Sequence, residues 1–240
     1  MVILKTTGLT RQFGGLIALN EVSMEINEKE IVGVIGPNGA GKSTFINVVA
    51  GVYLPTSGQI EFKGRDISMT PAHERCQLGI SRTFQLMRPL HGLNMIDNIM
   101  LGGMFGKGHS QKKARSNSLE ICKFLGLENV ERPISAMTAL EIKEMEIARA
   151  LATEPSLLFL DEVMAGLNKD ETMAMIETVR KINQRGMTII IIEHVMRVIR
   201  ELTHRVIVLE WGRLLTEGPY EKVSCDPRVI TAYLGEEAEC

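Results

Sequence analysis

The feature that most constrains this chain is a glycine-rich loop between an apolar run and a helix-forming run. Residues 36–44 read Gly-Pro-Asn-Gly-Ala-Gly-Lys-Ser-Thr and match the pattern G-x-x-x-x-G-K-S/T at every defined position. The apolar run Ile31–Ile35 predicts a buried strand before the loop, and residues 45–50 predict the start of a helix after it. This order of strand, loop and helix is the context in which the pattern forms a phosphate-binding loop.

The chemistry of this loop follows from its residue types. Glycines let successive backbone N–H groups surround an anion, and the N-terminus of the following helix adds a favourable dipole. Lys42 can reach the β- and γ-phosphates, and the Ser43 hydroxyl can bind Mg²⁺. The motif therefore predicts a nucleoside triphosphate site, formed by Gly36, Pro37, Asn38, Gly39, Ala40, Gly41, Lys42, Ser43 and Thr44.

Composition limits the other functions open to the chain. A length of 240 residues allows a substantial core, and a formal net charge of −2 argues against a strongly basic nucleic-acid binder. No apolar run approaches the roughly 20 residues of a membrane-spanning helix, and the N-terminal residues lack the pattern of a secretory signal. Four scattered cysteines show no metal-binding spacing. We expect a cytoplasmic protein that reaches a membrane only through partners.

Apolar runs predict an α/β core. Ile31–Ile35, 157–160, Thr188–Ile192 and 206–209 are apolar on both faces, which is typical of parallel strands covered by helices. Lys169–Gln184 reads as a helix because Asn168 and Glu171 form a capping pair and Gly186 ends the apolar stripe. The segments 2–9, 22–26 and 59–62 alternate in polarity and suggest an antiparallel layer.

The middle of the chain has a different pattern. Helical periodicity covers 95–101, Gln111–Leu125 and 140–152, while the glycine-rich residues 102–108 read as a flexible breaker. We expect residues 1–84 and 151–240 to form the nucleotide-binding α/β core and C-terminal tail, and 85–150 to form an inserted helical subdomain. The predicted fold class is thus α/β, with an antiparallel β layer and an α-helical insertion.

Two further apolar strands end in polar residues. Asp161 and Glu162 follow 157–160, and Glu193 and His194 follow Thr188–Ile192. Asp161 suits a magnesium shell, and Glu162 could act as general base toward an attacking water. His194 could reach a γ-phosphate from the neighbouring strand.

Together these residues resemble the ATP-binding cassette of ABC transporters, a P-loop NTPase with a RecA-like core. The resemblance covers essentially the whole chain. It implies that Gln85 links Mg²⁺ and water to the helical subdomain, that His194 is the switch histidine, and that Phe13 stacks on adenine. It also implies ATP and Mg²⁺ as ligands, with Lys42, Gln85, Glu162 and His194 in catalysis and Ser43, Gln85 and Asp161 around the metal. The segment 165–168, Ala-Gly-Leu-Asn, is similar to the D-loop of the family.

Several motif variants resemble one branch of this family, the cassettes of branched-chain amino acid importers. The variants are 13–19 (Phe-Gly-Gly-Leu-Ile-Ala-Leu), 82–85 (Arg-Thr-Phe-Gln), 192–194 (Ile-Glu-His) and the C-terminal stretch 226–235. The Arg-Thr-Phe-Gln form is similar to the larger of the two ATPase subunits of such importers. The identity of the transported solute is inferred from this resemblance alone, because a cassette does not contact the transported molecule.

One motif departs from the family. The signature sequence Leu-Ser-Gly-Gly-Gln is replaced at residues 137–141, the signature loop, by Met137, Thr138, Ala139, Leu140 and Glu141. In the family this loop closes on ATP held by a partner cassette. A bulky leucine and an added negative charge predict a poor phosphate clamp, and losing one oriented donor typically costs ~2–4 kcal/mol of transition-state stabilisation. The motifs therefore favour a heterodimer with a different cassette over a homodimer.

The resemblance also implies partners for this chain. The apolar loop after Gln85, with Leu86, Met87, Pro89 and Leu90, is expected to contact a transmembrane permease. A periplasmic or extracellular solute-binding protein would act indirectly, and the cassette would lie on the inner face of the cell membrane. Alternatives are a lipopolysaccharide-export-like cassette and a non-transport ABC-type ATPase, although no sustained heptad tract supports the latter. A small-molecule kinase would not explain the order of Gln85, Asp161, Glu162 and His194.

Overall fold

Two β-sheets and nine α-helices make up the part of the chain that the structure describes. The computed structural model describes residues 1–83 and 89–234, without the side chains of 233 and 234. The strands are β1 (Val2–Phe13), β2 (Leu16–Asn27), β3 (Ile31–Ile35), β4 (Ser57–Phe62), β5 (Arg65–Asp66), β6 (Ile80–Arg82), β7 (Leu157–Asp161), β8 (Thr188–Ile192), β9 (Arg205–Glu210) and β10 (Arg213–Gly218). The helices are α1 (Lys42–Val49), α2 (Ala72–Leu78), α3 (Met95–Lys107), α4 (Gln111–Leu125), α5 (Ala139–Leu151), α6 (Lys169–Gln184), α7 (Met196–Leu202), α8 (Tyr220–Ser224) and α9 (Pro227–Val229). A 3₁₀ turn lies at Ile134–Ala136 and a π-helical turn at Ile230–Leu234.

The central sheet has the strand order β10-β9-β3-β8-β7-β6. Its strands pair in parallel except β10, which runs antiparallel to β9 at one edge. β3, β7 and β8 are buried at every position, because helices and the second sheet cover both faces. The predicted parallel α/β core is confirmed.

The second sheet is antiparallel, with the order β2-β1-β4-β5. Its alternating segments present one face to a core that includes Leu4, Ile26 and Ile60 together with Phe45 of α1. The opposite face of the central sheet packs on α6 and α7 through Ile176 and other apolar residues. The antiparallel layer predicted from the alternation is therefore confirmed.

Helices α3, α4 and α5, which we call the helical lobe, have an apolar core of their own. Met95, Ile99, Cys122 and Met145 are buried in it. The predicted helices at Gln111–Leu125 and Lys169–Gln184 agree with α4 and α6. Asn168 and Glu171 form the expected capping box of α6.

The flexible breaker predicted at 102–108 is wrong. α3 continues to Lys107 and ends at the left-handed Gly108. A Cβ on Gly102 would lie 2.1 Å from the Arg149 carbonyl oxygen, and one on Gly106 would lie 2.9 Å from Thr153. The glycines therefore let α3 approach α5 and its C-terminal end closely, and tertiary packing overrides their weak helix propensity.

A buried arginine anchors the end of the helix that follows the glycine-rich loop. Arg75 of α2 is fully buried, and its guanidinium donates to the carbonyl oxygens of Val48 and Val49 at 2.7 and 2.8 Å. Further donations reach the carbonyls of Ser68 and Thr70. Burial lowers the pKa of Arg75 to about 10. The arginine thus adds hydrogen-bond donors to carbonyl groups at the C-terminal end of α1.

Among the helices of the described residues, none combines the length and apolarity needed to cross a membrane.

Candidate functional site

Three parallel strands bring the phosphate loop, the two carboxylates and the histidine together at the carboxyl ends of the central strands. β3 leads into residues 36–44, the phosphate loop, while β7 ends at Asp161 and β8 ends just before Glu193 and His194. β8 lies between β3 and β7, so their carboxyl ends are adjacent. Ligands of parallel α/β sheets bind at these carboxyl ends.

A cavity of about 510 Å³ lies at these carboxyl ends. It brings together the phosphate loop, the first residues of β2, and three side chains from other parts of the chain. Its lining is Leu16, Ile17, Ala18, Asn38, Gly39, Ala40, Gly41, Lys42, Ser43, Thr44, Glu162, His194 and Trp211.

The phosphate loop has the backbone geometry that its glycines predict. Gly41 is left-handed at the N-terminus of α1, and Gly39 has a φ of +82° with open space around it. Gly36 has a different constraint, because a Cβ there would lie 2.1 Å from the Leu209 carbonyl oxygen of β9. The loop therefore depends on glycine for close packing at one end and for its conformation at the other.

Lys42 lies within this loop. Its ammonium group donates to the carbonyl oxygens of Gly36 and Pro37 at 2.7 and 3.0 Å. Burial lowers the pKa of Lys42, and the nearby carboxylates of Glu162 and Asp161 oppose that shift. The sequence-predicted lysine and both carboxylates thus share one electrostatic environment.

Asp161 is buried at the end of β7, and its two carboxylate oxygens differ in their surroundings. Oδ2 lies 3.8 Å from a guanidinium nitrogen of Arg82, and the Asp161 amide donates to the Thr83 hydroxyl at 3.2 Å. Oδ1 is buried without a hydrogen-bond partner among the described residues. Burial raises the pKa of Asp161, while Arg82 acts in the opposite direction. A buried oxygen without a partner fits a cation, so the residues present suit Mg²⁺.

No group of three metal-binding acids, histidines or cysteines occurs within residues 1–83 and 89–234. In nucleotide sites Mg²⁺ is bound by one or two protein oxygens together with substrate phosphates. The exposed Ser43 hydroxyl at the start of α1 is the other described oxygen predicted for this role.

Glu162 and His194 contact one another across the ends of two strands. His194 Nε2 lies 2.7 Å from Glu162 Oε1. Glu162 has a φ of +52°, an unusual conformation for a residue other than glycine, and its amide donates to the Ile192 carbonyl at 2.9 Å. The geometry holds both predicted catalytic side chains on the cavity wall.

Among the described residues predicted to bind the nucleotide or the metal, four do not line the cavity: Phe13, Gly36, Pro37 and Asp161. Phe13 does not line it; its ring lies 5.1 Å from the Tyr53 ring, edge to face, with the Arg11 guanidinium 4.4 Å from its centre. Gln85 lies outside the described residues, as do Leu86 and Met87. Their predicted roles stay predictions.

The signature loop lies at the N-terminus of α5, away from the cavity of its own chain. Thr138 and Glu141 form a capping box: the Glu141 amide donates to the Thr138 hydroxyl, and the Thr138 amide donates to Glu141 Oε2 at 2.8 Å. Glu141 also pairs with Arg132, and this bond lowers the pKa of the Glu141 carboxyl. Leu140 packs partly on the core beside α6. The Glu141 carboxylate thus already accepts a hydrogen bond at the N-terminus of α5, which the family motif would use to bind a phosphate.

Sequence reasoning missed Trp211, Glu193 and the capping box. Trp211 is 84% exposed and lies in the turn between β9 and β10, distant in sequence from the phosphate loop. The capping box had a readable signal, because Thr138 and Glu141 have the spacing S/T-x-x-E. The burial of Glu193, in contrast, depends on packing and had no local signal.

Comparison with known proteins identifies the family. A model of the ABC transporter family matches residues 19–165, and a branched-chain amino acid ATP-binding cassette transporter model matches residues 213–239. The chain is 36% identical, over 98% of each chain, to the high-affinity branched-chain amino acid transport ATP-binding protein LivG of Escherichia coli strain K12. It is 33% identical to the probable LivG of Archaeoglobus fulgidus, covering 100% of this chain and 99% of the relative.

Solved structures agree with the sequence relatives. A nucleotide-free ATP-binding cassette from an ABC transporter superposes with a TM-score of 0.89 at 30% identity, covering 98% of this chain and 100% of the other. The ADP conformation of such a cassette gives the same values. CbiO1 of Clostridium perfringens, described as part of an ABC transporter complex, gives a TM-score of 0.83 at 26% identity over 96% of this chain and 93% of its own. The phosphate loop, the carboxylates at the end of β7 and these full-length similarities agree: the chain belongs to the ABC transporter family, as one of its ATP-binding cassettes.

Proposed function

We propose that this chain hydrolyses ATP to drive an importer of branched-chain amino acids, from the cytoplasmic face of the cell membrane. The observation that carries the hydrolytic role is the 2.7 Å contact between His194 and Glu162 on the wall of the cavity that holds the phosphate loop. Two observations support branched-chain amino acids as the solute: the relatives named for their transport and the family match at residues 213–239.

In this mechanism the phosphate loop and Lys42 hold the triphosphate and neutralise its charge. Glu162 would accept a proton from the attacking water, and His194 orients the Glu162 carboxylate and would interact with the γ-phosphate. Ser43, Asp161 and Gln85 would hold Mg²⁺, which supplies charge neutralisation on the phosphate oxygens when bound. The unpartnered Oδ1 of Asp161 supports this assignment.

The same proposal extends to the partner cassette. A site that used the N-terminus of α5 to clamp phosphate would have to displace Glu141, which the pairing with Arg132 keeps ionised. A homodimer would carry this defect twice, whereas a different cassette can supply an intact loop to the phosphate loop of this chain. The capping box therefore supports the heterodimer.

A groove that includes Thr83 in its lining supports the proposed contact with a permease. It has a volume of about 420 Å³, lies between the core and the helical lobe, and is lined by residues of α2, β6 and α3 that include Arg82 and Phe105. Phe105 in this lining is 77% exposed, and Leu90, which does not line the groove, is 50% exposed. Apolar side chains beside a groove of this kind suit a helix of a membrane subunit.

Uptake in a reconstituted transporter tests the function. Neighbouring genes supply the candidates for permeases, second cassette and solute-binding protein, and radiolabelled leucine uptake is measured with ATP inside the vesicles. We expect Lys42→Ala to abolish uptake. Uptake of a different solute, or export of a lipid-linked substrate, would point to another ABC system, and ATP hydrolysis without any transport would point to a non-transport ATPase.

Three variants, one of them a control, test the partner proposals. Phe105→Asp should lower uptake while sparing ATP binding. Leu119→Asp on α4, an exposed apolar residue outside the groove lining, should leave both uptake and ATP binding unchanged. Restoring glycines with Ala139→Gly and Leu140→Gly should raise phosphate release by the purified chain. An unchanged rate in this double variant would contradict the defect assigned to the signature loop.

A further inference from the structure

Glu193 is a buried carboxyl that the proposed hydrolysis does not use. It stands between the end of β8 and His194, and it is 2% exposed. Its Oε1 accepts a hydrogen bond from the Met164 amide at 2.8 Å. Met164 follows Glu162 by two residues in the turn formed by residues 162–165. The one side chain therefore connects the segment that carries Glu162 with the segment that carries His194.

The 162–165 turn needs such support. Glu162 has a φ of +52°, and an uncommon conformation of this kind persists only where surrounding contacts impose it. Two other hydrogen bonds hold the turn: the Glu162 amide donates to Ile192, and the Ala165 amide donates to the Glu162 carbonyl. Met164 is itself 2% exposed, so without Glu193 its amide would be buried and unpaired, which is unfavourable.

Lys143 of α5 adds a positive charge near Glu193. It is 8% exposed and faces the carboxylates of Glu193, Glu146 and Glu162. Burial raises the pKa of Glu193 to about 7, while the amides of Met164 and His194 and the charge of Lys143 act in the opposite direction. The carboxyl is thus enclosed by groups from α5, the 162–165 turn and β8.

We propose that Glu193 is a positioning residue for ATP hydrolysis: by accepting the Met164 amide it fixes the 162–165 turn and holds Glu162 within reach of His194. The inference rests on the catalytic roles proposed above for Glu162 and His194. Loss of this acceptor displaces the general base without touching the phosphate loop. A displacement on the order of 1 Å at a reacting group can lower a rate ~10²-fold.

Three substitutions separate the hydrogen bond from packing. Glu193→Ala removes the carboxyl, Glu193→Met keeps similar volume without an oxygen acceptor, and Glu193→Gln keeps an oxygen for the Met164 amide. Glu201→Ala is the control, since that carboxyl pairs with Arg197 on α7 instead. Each full-length protein is compared by amide hydrogen exchange over 162–168, by thermal melting, and by kcat and KM for ATP.

The expected pattern is specific to positioning. Glu193→Met and Glu193→Ala should raise exchange at the Met164 amide and lower kcat at least tenfold, with KM for ATP within about twofold of the original. Glu193→Gln should keep both the exchange at the Met164 amide and kcat close to those of the original protein. If Glu193→Ala does not fold, Glu193→Met and Glu193→Gln still give the comparison.

Two results would overturn the inference: unchanged exchange at Met164 in Glu193→Met, or raised exchange with an unchanged kcat. Glu162→Gln and His194→Ala are measured in the same series. Wild-type rates in those two variants would refute the catalytic roles, whereas exchange at Met164 still reports whether Glu193 holds the turn. Failure of the proposed function and failure of this inference are therefore distinguishable.

Discussion

His194 Nε2 and Glu162 Oε1 lie 2.7 Å apart, although the two residues come from the ends of different strands. If Glu162 is the general base, Glu162→Gln should lower phosphate release ~10²–10⁴-fold, because an amide cannot accept the proton of the attacking water. His194→Ala should lower it as well by removing the partner that orients Glu162. Binding of a fluorescent ATP analogue should remain, since Lys42 and the phosphate loop are unchanged.

The exposed Glu120 on α4 provides the matched control for this prediction. Glu120→Gln makes the same chemical change away from the cavity and should leave phosphate release at the original rate. A Glu162→Gln variant that hydrolysed ATP equally well would assign the proton transfer to another group.

Trp211 makes the chain its own reporter of nucleotide binding. It is the single tryptophan of the sequence, it is 84% exposed, and it lines the cavity with the phosphate loop. Because a bound nucleotide would exclude water from the indole, titration with ATP should shift and change its emission. Trp211→Phe should remove the signal while a fluorescent ATP analogue still binds, and Lys42→Ala should remove both. Emission that stays constant while the analogue binds would place the nucleotide away from Trp211.

The close approach of α3 to α5 predicts an unequal response of two glycines to alanine. A Cβ on Gly102 would meet the Arg149 carbonyl oxygen at 2.1 Å, whereas a Cβ on Gly92 would meet nothing within 4 Å. Gly102→Ala should lower the free energy of unfolding by ~1–3 kcal/mol through overpacking. Gly92→Ala should stay within about 0.5 kcal/mol of the original protein. Urea denaturation of both variants provides the measurement, and equal stability would argue against the helix packing at 102.

The raised pKa of Glu193 predicts a pH dependence of stability. Its ordinary value of 4.5 rises to about 7 in the folded protein, so between these values the folded state binds a proton that the unfolded chain has released. The free energy of unfolding should therefore fall as pH rises from about 5 to about 7, by on the order of 3 kcal/mol at most. Of the charged groups near this carboxyl, Glu162 raises the pKa of Glu193 and Lys143 lowers it.

Comparison with Glu193→Gln isolates this contribution, because the amide does not titrate while all other groups are shared. Urea denaturation at pH 5, 6, 7 and 8 should show the original protein losing stability relative to the variant as pH rises. A constant difference across these four values would mean that Glu193 stays ionised in the folded protein.

Much of the fold was predictable because its signals are local. The four inner strands of the central sheet, β3, β7, β8 and β9, are apolar on both faces, and α6 has its cap and apolar stripe within one segment. The error at 102–108 arose because the residues that require glycine there, Arg149 and Thr153, are far away in sequence. Glycine propensity alone predicts a break, and only the packing partner explains the helix.

The candidate site shows the same division. Lys42 could be identified from the glycine-rich motif. Asp161 and Glu162 could be identified from residue types at a strand end, because the carboxyl ends of parallel strands lie side by side. Glu193 could not, since an acidic residue beside a histidine is ordinary until its burial is known. Thr138 and Glu141 are an intermediate case. Their spacing is that of a capping box, but the same residues replace a phosphate-binding motif of the family, and only the structure shows that they cap α5.

The packing of Gly36 against β9 limits what genetic data on the phosphate loop can show. Any side chain at Gly36 would collide with the Leu209 carbonyl oxygen, so substitutions there would separate β3 from β9 before they affect a ligand. A variant at Gly36 that fails to bind nucleotide would therefore report misfolding, although the position belongs to the motif. Gly39, which has open space around it, is the glycine whose replacement tests the loop conformation itself.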